Sequence, residues 1–537
     1  MEVALKPETK SEVRPQKSLW TAHMTAQTLL DLSHRVVRSG RNHETFMVHS
    51  PINQQELGRL PLCGRADVEE ALHRAKLAQR GWENVPVKER VAVLSRYHDL
   101  VLAHKEALLD VMQLETGKAR IHAFEEIFDV ALNARYYANV APDLLAPSAR
   151  NGAIPFITET TEYHHPVGVV GIIAPWNYPL TLAISDAIPA IVAGNAVILK
   201  PSEQTSFTAL LGLELLIKAG LPTDVFQVVT GTGPDIGPTL ISGSDFLMFT
   251  GSTATGRKVA AQAGEYLIKC SMELGGKNPM LVMEDADVAA AANGAVRGSF
   301  GNAGQLCISF ERIYVARSIY NDFKKAFIQK TEALRLGTDF NHEVEMGSLI
   351  SQMQLGKVQA HIEDAVQKGA TVLTGGKART DLGPYFYAPT ILEGVTPEMQ
   401  LFREETFGPV VALYPFDTEQ EAVDLANDTV YGLNAAVWSR NTSRAAGIAR
   451  RIKAGTVNVN ETYGAAWASL DAPMGGMKLS GIGRRHGAEG LLKYTESQTV
   501  AIQRLTPIAK PDFLSGSQFA DVMTMAAKVF KWLPGIK

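Results

Sequence analysis

From residue 167 onward the chain alternates short apolar runs with segments of helical spacing. The runs fall at 167–174, 196–200, 225–230 and 246–250, and the helical segments at 180–193, 205–219 and 233–241. Strand, helix, strand, helix in this order predicts a doubly wound parallel sheet, which takes its ligand beyond the carboxyl ends of its strands. Lys200-Pro201-Ser202-Glu203 and Thr250-Gly251-Ser252-Thr253 sit at two of those ends. Further strands are predicted at 311–316, 433–437 and 455–460, and a β segment begins at 494–500.

The first part of the chain reads differently. Residues 1–45 look like a poorly constrained leader, helical in part over 25–37, and 45–51 reads as a strand and turn. One helix is predicted over 65–82, opened by Asp67, and a longer one over 86–116, where Gly117 is the stop signal. Another covers 121–138. Residues 154–163 alternate and are β-rich, as in an exposed ribbon. At the far end, 517–533 places Phe519, Val522, Met523, Ala526, Val529 and Phe530 on one helical face, with Lys528 and Lys531 nearby. Packing within a dimer is the expected role of that face, and lying on a membrane interface is the alternative.

Composition narrows the classes. The 537 residues are 46% hydrophobic and 20% charged, the signature of a globular protein with two or three domains. A net charge of −4 gives no pull towards nucleic acid. Three cysteines (Cys63, Cys270 and Cys307) imply no disulfide framework, and a polar N-terminus without an apolar core predicts a cytoplasmic protein. No run approaches the ~20 apolar residues that span a bilayer.

Candidate chemistry gathers in three stretches. Gly301-Asn302-Ala303-Gly304-Gln305-Leu306-Cys307 brings a thiol to a loop–strand junction, with Gly304 allowing backbone to come close to a ligand. A lone Cys is more often a buried structural residue than a nucleophile. Met272-Glu273-Leu274-Gly275-Gly276-Lys277-Asn278-Pro279 adds a carboxylate, and Ala174-Pro175-Trp176-Asn177-Tyr178-Pro179-Leu180 adds an amide donor. Nucleophile, base and oxyanion stabiliser are what acyl chemistry on a carbonyl requires. Gly251 to Gly256 has the glycine spacing of a P-loop, but Arg257 and Lys258 follow where Lys and Ser/Thr are needed, so an NTPase is excluded.

Together these motifs, with Glu404-Glu405-Thr406-Phe407-Gly408-Pro409 and the glycine-rich 473–484, resemble the aldehyde dehydrogenase superfamily from about residue 50 to 500. The resemblance implies an α/β fold: a Rossmann-like dinucleotide-binding domain (46–150 and 167–274), an α/β catalytic domain (275–485) and a small β oligomerisation ribbon (151–166 and 486–506), followed by a tail (507–537). It assigns Cys307 as nucleophile, Glu273 as base and Asn177 as oxyanion donor. Trp176, Lys200, Ser202, Glu203, Gly251, Ser252, Leu274, Glu405 and Phe407 would meet the cofactor, and Tyr178, Ile308 and Trp467 would line an apolar substrate tunnel. No metal is implied, and the assembly would be a homodimer or homotetramer.

Glu203 favours NAD over NADP, because a carboxylate pairs with ribose hydroxyls and repels a 2′-phosphate. A coenzyme-A-acylating relative would not need Glu273 for hydrolysis, and a catalytically silent relative would not keep all three residues. The stretches around Cys307 and Pro473 look most like a bacterial branch named for succinate-semialdehyde dehydrogenase. Members of that activity carry arginines where this chain has Ser185 and Gly301. Succinate semialdehyde is therefore expected to turn over, but with lower kcat/KM than an uncharged aliphatic or aromatic aldehyde of similar length.

Overall fold

The computed structural model describes residues 18–40, 43–152, 157–505 and 507–532. The leader up to residue 17, the start of the ribbon at 154–156 and Leu533 of the tail lie outside these.

Among the described residues there are two large sheets, one of six strands and one of seven. The first has the order Phe226–Val228, Ala196–Lys200, Val169–Ile173, Phe246–Thr250, Lys269–Glu273, all parallel, with Gly481–Ile482 added antiparallel on the edge. Strand order reverses on the two sides of Val169–Ile173, which makes its carboxyl end the topological switch point. The runs Ala196–Lys200 and Phe246–Thr250 are buried at every position, as a sheet covered on both faces demands. Helices Ser206–Lys218, Gly233–Gly243 and Thr253–Glu265 cover it.

The second sheet runs Thr371–Thr374, Thr390–Glu393, Val410–Phe416, Phe310–Ala316, Asn278–Val282, Asn434–Trp438, Thr456–Val459, parallel except at its first pair. Met280, Phe310, Ile313, Val410 and Leu413 belong to its core. Away from both, Thr495–Gln503 pairs antiparallel with Thr158–Pro166, register Thr495 to Pro166, and Ser148–Arg150 joins that ribbon.

Several expectations are corrected. The leader is packed from Leu19 onward: helix Ala26–Ser33 buries Leu29 and Leu32, and Val37 N donates to Val228 O at 3.0 Å. Helix 86–116 is two helices, Val87–Ala103 and Lys105–Thr116, broken at His104. Within 180–193 a π-helical turn, Thr181–Ser185, precedes the α-helix Ala187–Val192. Strand Gly481–Ile482 lies inside the expected catalytic domain (275–485) but pairs with the dinucleotide-type sheet. Ser148–Arg150 falls within 46–150 yet pairs with the ribbon. The expected tail helix is present as Gly516–Phe530, and within the single chain it buries none of its residues. Gly117 does end its helix, in the left-handed conformation at φ 69°.

Candidate active site

Cys307 is delivered by a strained turn. Helix Val288–Phe300 stops, and Asn302 (φ 49°, ψ 35°) and Ala303 (φ 54°, ψ 36°) take left-handed conformations in succession. For non-glycine residues each costs on the order of 1–3 kcal/mol and persists only where surroundings over-determine it. Here they do. Asn302 Nδ2 donates to Asn177 O and to Gln305 O, both at 3.1 Å, and Gln305 Nε2 donates back to Asn302 O at 3.1 Å. Gln305 Oε1 accepts from Ile350 N at 2.9 Å. Gly304 sits at φ +69°, and a Cβ there would lie 2.0 Å from Gly408 O. Gly304, expected to let backbone come close to a ligand, makes its close approach instead to the loop that carries Glu405 and Phe407. Beyond the thiol, Asn278 Nδ2 donates to Cys307 O and Ser309 O, each at 2.7 Å.

Glu273 is the last residue of strand Lys269–Glu273 and is buried, with Oε1 lacking a hydrogen-bond partner. Burial raises its pKa to about 7, opposed by the positive charge of Arg485 and then Lys493. Arg485 donates to Asp186 Oδ2 at 2.8 Å and Thr250 Oγ1 at 3.2 Å, and its Nε is also buried without a partner. The Cys307 thiol is pushed up to about 12 by burial and then by the Glu273 charge. It is neutral at physiological pH until a base takes its proton.

Asn177 is held from three sides. Lys118 Nζ donates to Asn177 O at 2.7 Å, Asn302 reaches the same carbonyl, and Asn177 Nδ2 donates to Gln305 O at 3.1 Å. That leaves the second amide proton for a ligand. Lys118 is itself buried against Glu126, which accepts from Leu180 N at 2.8 Å and Thr181 N at 3.1 Å. The segment after Asn177 is fixed by the same carboxylate.

Two cavities meet these groups. One, of about 210 Å³, is lined by Asn177, Glu273 and Cys307 together with Trp176, Gly251, Ser252, Leu274, Glu405 and Phe407. Trp176 and Phe407 stand edge to face at 5.6 Å. Gln354 and Lys357, one turn of helix Gln352–Gln367, line it too and were not found from sequence; a polar pair at helical spacing looks like any solvated face. The wall suits a nicotinamide dinucleotide. The amino end of helix Thr253–Glu265 opens there behind Gly251 and Ser252, and Glu405, which accepts from Gly276 N at 2.7 Å, offers a carboxylate for hydroxyls. Burial and the Glu311 charge raise that carboxylate to about 7. Lys200, Ser202 and Glu203 lie outside this wall, at the end of the adjacent strand Ala196–Lys200, with Lys200 Nζ 3.1 Å from Glu203 Oε1.

The other cavity, of about 150 Å³, collects the three tunnel candidates Tyr178, Ile308 and Trp467, with Leu306, Phe128 and Tyr463. Leu306 and Ile308, the two sequence neighbours of Cys307, line this space, whereas Cys307 itself lines the first cavity. Two charged residues line it as well, Glu125 and Arg297, neither of which the sequence reading picked out.

The family model for the aldehyde dehydrogenase family matches residues 37–500. A protein of Mycolicibacterium smegmatis named putative succinate-semialdehyde dehydrogenase (NADP+) is 52% identical over 481 residues, covering 90% of this chain and 93% of the relative. Among solved structures, an NADP-dependent enzyme of E. coli aligns with a TM-score of 0.83 at 34% identity, covering 87% of this chain and 97% of its own. Betaine aldehyde dehydrogenase of Staphylococcus aureus in complex with NAD+ aligns with a TM-score of 0.84 at 33% identity, covering 91% and 99%. The chain belongs to the aldehyde dehydrogenase family, and its activity is the oxidation of an aldehyde with a nicotinamide dinucleotide.

Proposed function

We propose that the protein oxidises succinate semialdehyde, a four-carbon aldehyde with a distal carboxylate, to the dicarboxylic acid through a covalent intermediate on Cys307. The observation that carries the mechanism is the meeting of Cys307, Glu273 and Asn177 on one cavity wall beside a dinucleotide-shaped surface. The substrate rests on the names of relatives such as the mycobacterial protein.

Glu273, raised to about 7, is poised to accept a proton near neutrality. Cys307 thiolate adds to the aldehyde carbon, and the resulting oxyanion is met by Asn177 Nδ2 and the Cys307 N–H. A nicotinamide dinucleotide held along Trp176, Gly251, Ser252, Leu274, Glu405 and Phe407 would supply the hydride acceptor for this oxidation. Glu273 then removes a proton from water as it attacks the Cys307 thioester, releasing the acid. This use of a basic carboxylate supports hydrolysis over transfer to coenzyme A.

NAD is the favoured cofactor on account of Glu203, with NADP use open because Lys200 lies beside it. A homodimer or homotetramer is the proposed assembly, to be read by sedimentation. The second reading, the preference for uncharged aldehydes expected from Ser185 and Gly301, draws on the tilted pair Tyr178 and Trp467, whose centroids lie 6.2 Å apart in the side cavity. A freshly titrated panel of succinate semialdehyde, butanal and benzaldehyde, followed by reduced-dinucleotide formation, tests the proposal. The highest kcat/KM on the semialdehyde supports it, and the highest on butanal or benzaldehyde sinks it.

A further inference from the structure

We propose that Arg297, through its guanidinium at the mouth of the side cavity, is the residue that receives the distal carboxylate of the substrate, and so sets the enzyme's preference for anionic aldehydes. This inference rests on the succinate-semialdehyde reading above and names the group responsible for it.

Arg297 lies in the last turn of helix Val288–Phe300, which runs directly into the turn that carries Cys307. Its guanidinium stacks 5.0 Å from the Tyr463 ring centroid. It reaches Glu461 Oε1 at 3.3 Å and Glu125 Oε1 at 3.7 Å, a single contact to each rather than a two-pronged one. The side chain is 47% exposed, so of its five N–H donors several remain for a ligand. Gly464 leaves room at this point: a Cβ there would meet Arg297 Nη2 at 3.3 Å.

The charges around Arg297 decide which kind of substrate can use it. Glu125, the other charged residue lining the cavity, already accepts from Tyr178 Oη at 3.0 Å and Tyr463 Oη at 3.1 Å, with His122 Nδ1 at 3.6 Å. Its acceptor capacity is committed to the walls, which leaves little for a cationic substrate. Glu461 is the carboxylate that an incoming substrate would displace, and it keeps other partners when displaced: Thr462 N at 2.6 Å and Thr462 Oγ1 at 2.8 Å. The free capacity of the cavity is therefore donor capacity, and a substrate carboxylate is the group that fits it. Lys118 also lies near, 4.2 Å from the Tyr178 centroid, but it is buried and spent on Glu126 and Asn177 O.

The experiment compares kcat/KM for succinate semialdehyde and butanal at saturating dinucleotide in wild type, Arg297→Gln, Arg297→Lys and Glu461→Gln. In Arg297→Gln the semialdehyde-to-butanal ratio is expected to fall by roughly 10- to 100-fold, chiefly through KM, the scale of one lost charge-assisted contact. Arg297→Lys should recover part of the ratio, and Glu461→Gln should raise it by removing the competing carboxylate. A merely structural role for Arg297 would lower both substrates together and leave the ratio where it was. An unchanged ratio in both Arg297 variants, with wild type still preferring the semialdehyde, overturns the inference and leaves the substrate reading standing. A wild type that oxidises butanal but not the semialdehyde overturns both.

Discussion

Cys307 and Glu273 oppose each other electrostatically, and that opposition fixes how the enzyme responds to pH. In the proposed mechanism the carboxylate form of Glu273 is the base, and its pKa is raised to about 7, first by burial. Thioester hydrolysis should therefore rise with pH through about 7 and level off above it. The groups that face Glu273 are Arg485, Lys493, Asp186, Arg484 and the thiol, and Arg485 is the strongest of the charges that hold the proton off. Arg485→Gln should move the rise to higher pH, because a lost positive charge favours the protonated carboxyl. A pH–rate profile of the steady state checks the shift, with circular dichroism confirming the fold; an unmoved midpoint in a folded variant removes Arg485 from this role. Glu273→Gln should give a burst of reduced dinucleotide and then stall at the thioester, whereas Cys307→Ala should show neither burst nor turnover. Full turnover by the Cys307→Ala variant would end the covalent mechanism. Cys307, Glu273 and Asn177 were legible in the sequence as candidates because each stands in a specific motif, and the three line one cavity. Arg297, Glu125 and Arg485 were not, because an isolated charge on a helix or loop has no pattern until folding shows what it faces.

At the scale of elements, the nucleophile turn shows what a motif conceals. The glycine at 304 was readable as a site of close approach, but its neighbour, Gly408 O, comes from a loop about a hundred residues away. Gly304→Ala adds a Cβ 2.0 Å from that carbonyl at a φ of +69°, so the two loops must part. Cys307 and Phe407 would both shift, and kcat/KM should fall at least ~100-fold, as small misplacements of reacting groups do. A steady-state assay on the folded variant checks this, and near-normal activity would show that the loops can separate harmlessly. Helix and strand periods carried most of the architecture, including the parallel first sheet, but not the strand order around Val169–Ile173. They failed where no residue breaks the pattern: His104-Lys105-Glu106 has ordinary helical composition, yet the chain turns there between two helices. The leader's helix, expected in part over 25–37, is amphipathic but too short to hold by itself, and it is kept in place by Leu29 and Leu32 against the core and by Val36 bridging to Val228.

For the molecule as a whole, the wall proposed to hold the dinucleotide would link cofactor choice to stability. Its residues come from both halves: Trp176, Gly251, Ser252 and Leu274 from the ends of the first sheet, Gln354, Lys357, Glu405 and Phe407 from the elements around the second. A ligand bound there contacts both and stabilises only the folded chain, by about 2.7 kcal/mol at a hundred times its Kd. Thermal unfolding should thus shift upward with dinucleotide even in Cys307→Ala, where chemistry is silent. In that background NAD should raise Tm more than equimolar NADP, because Glu203 repels a 2′-phosphate although Lys200 Nζ, 3.1 Å away, offsets part of its charge. Adding Glu203→Ser should narrow or reverse the order, since it removes the repulsion and frees Lys200 for the phosphate. The names of relatives pull the other way, with NADP+ attached to the mycobacterial protein, so the measurement is a real contest between Glu203 and its neighbour. A larger shift with NADP in the Cys307→Ala background would mean that Lys200 dominates and that Glu203 points away from the ribose.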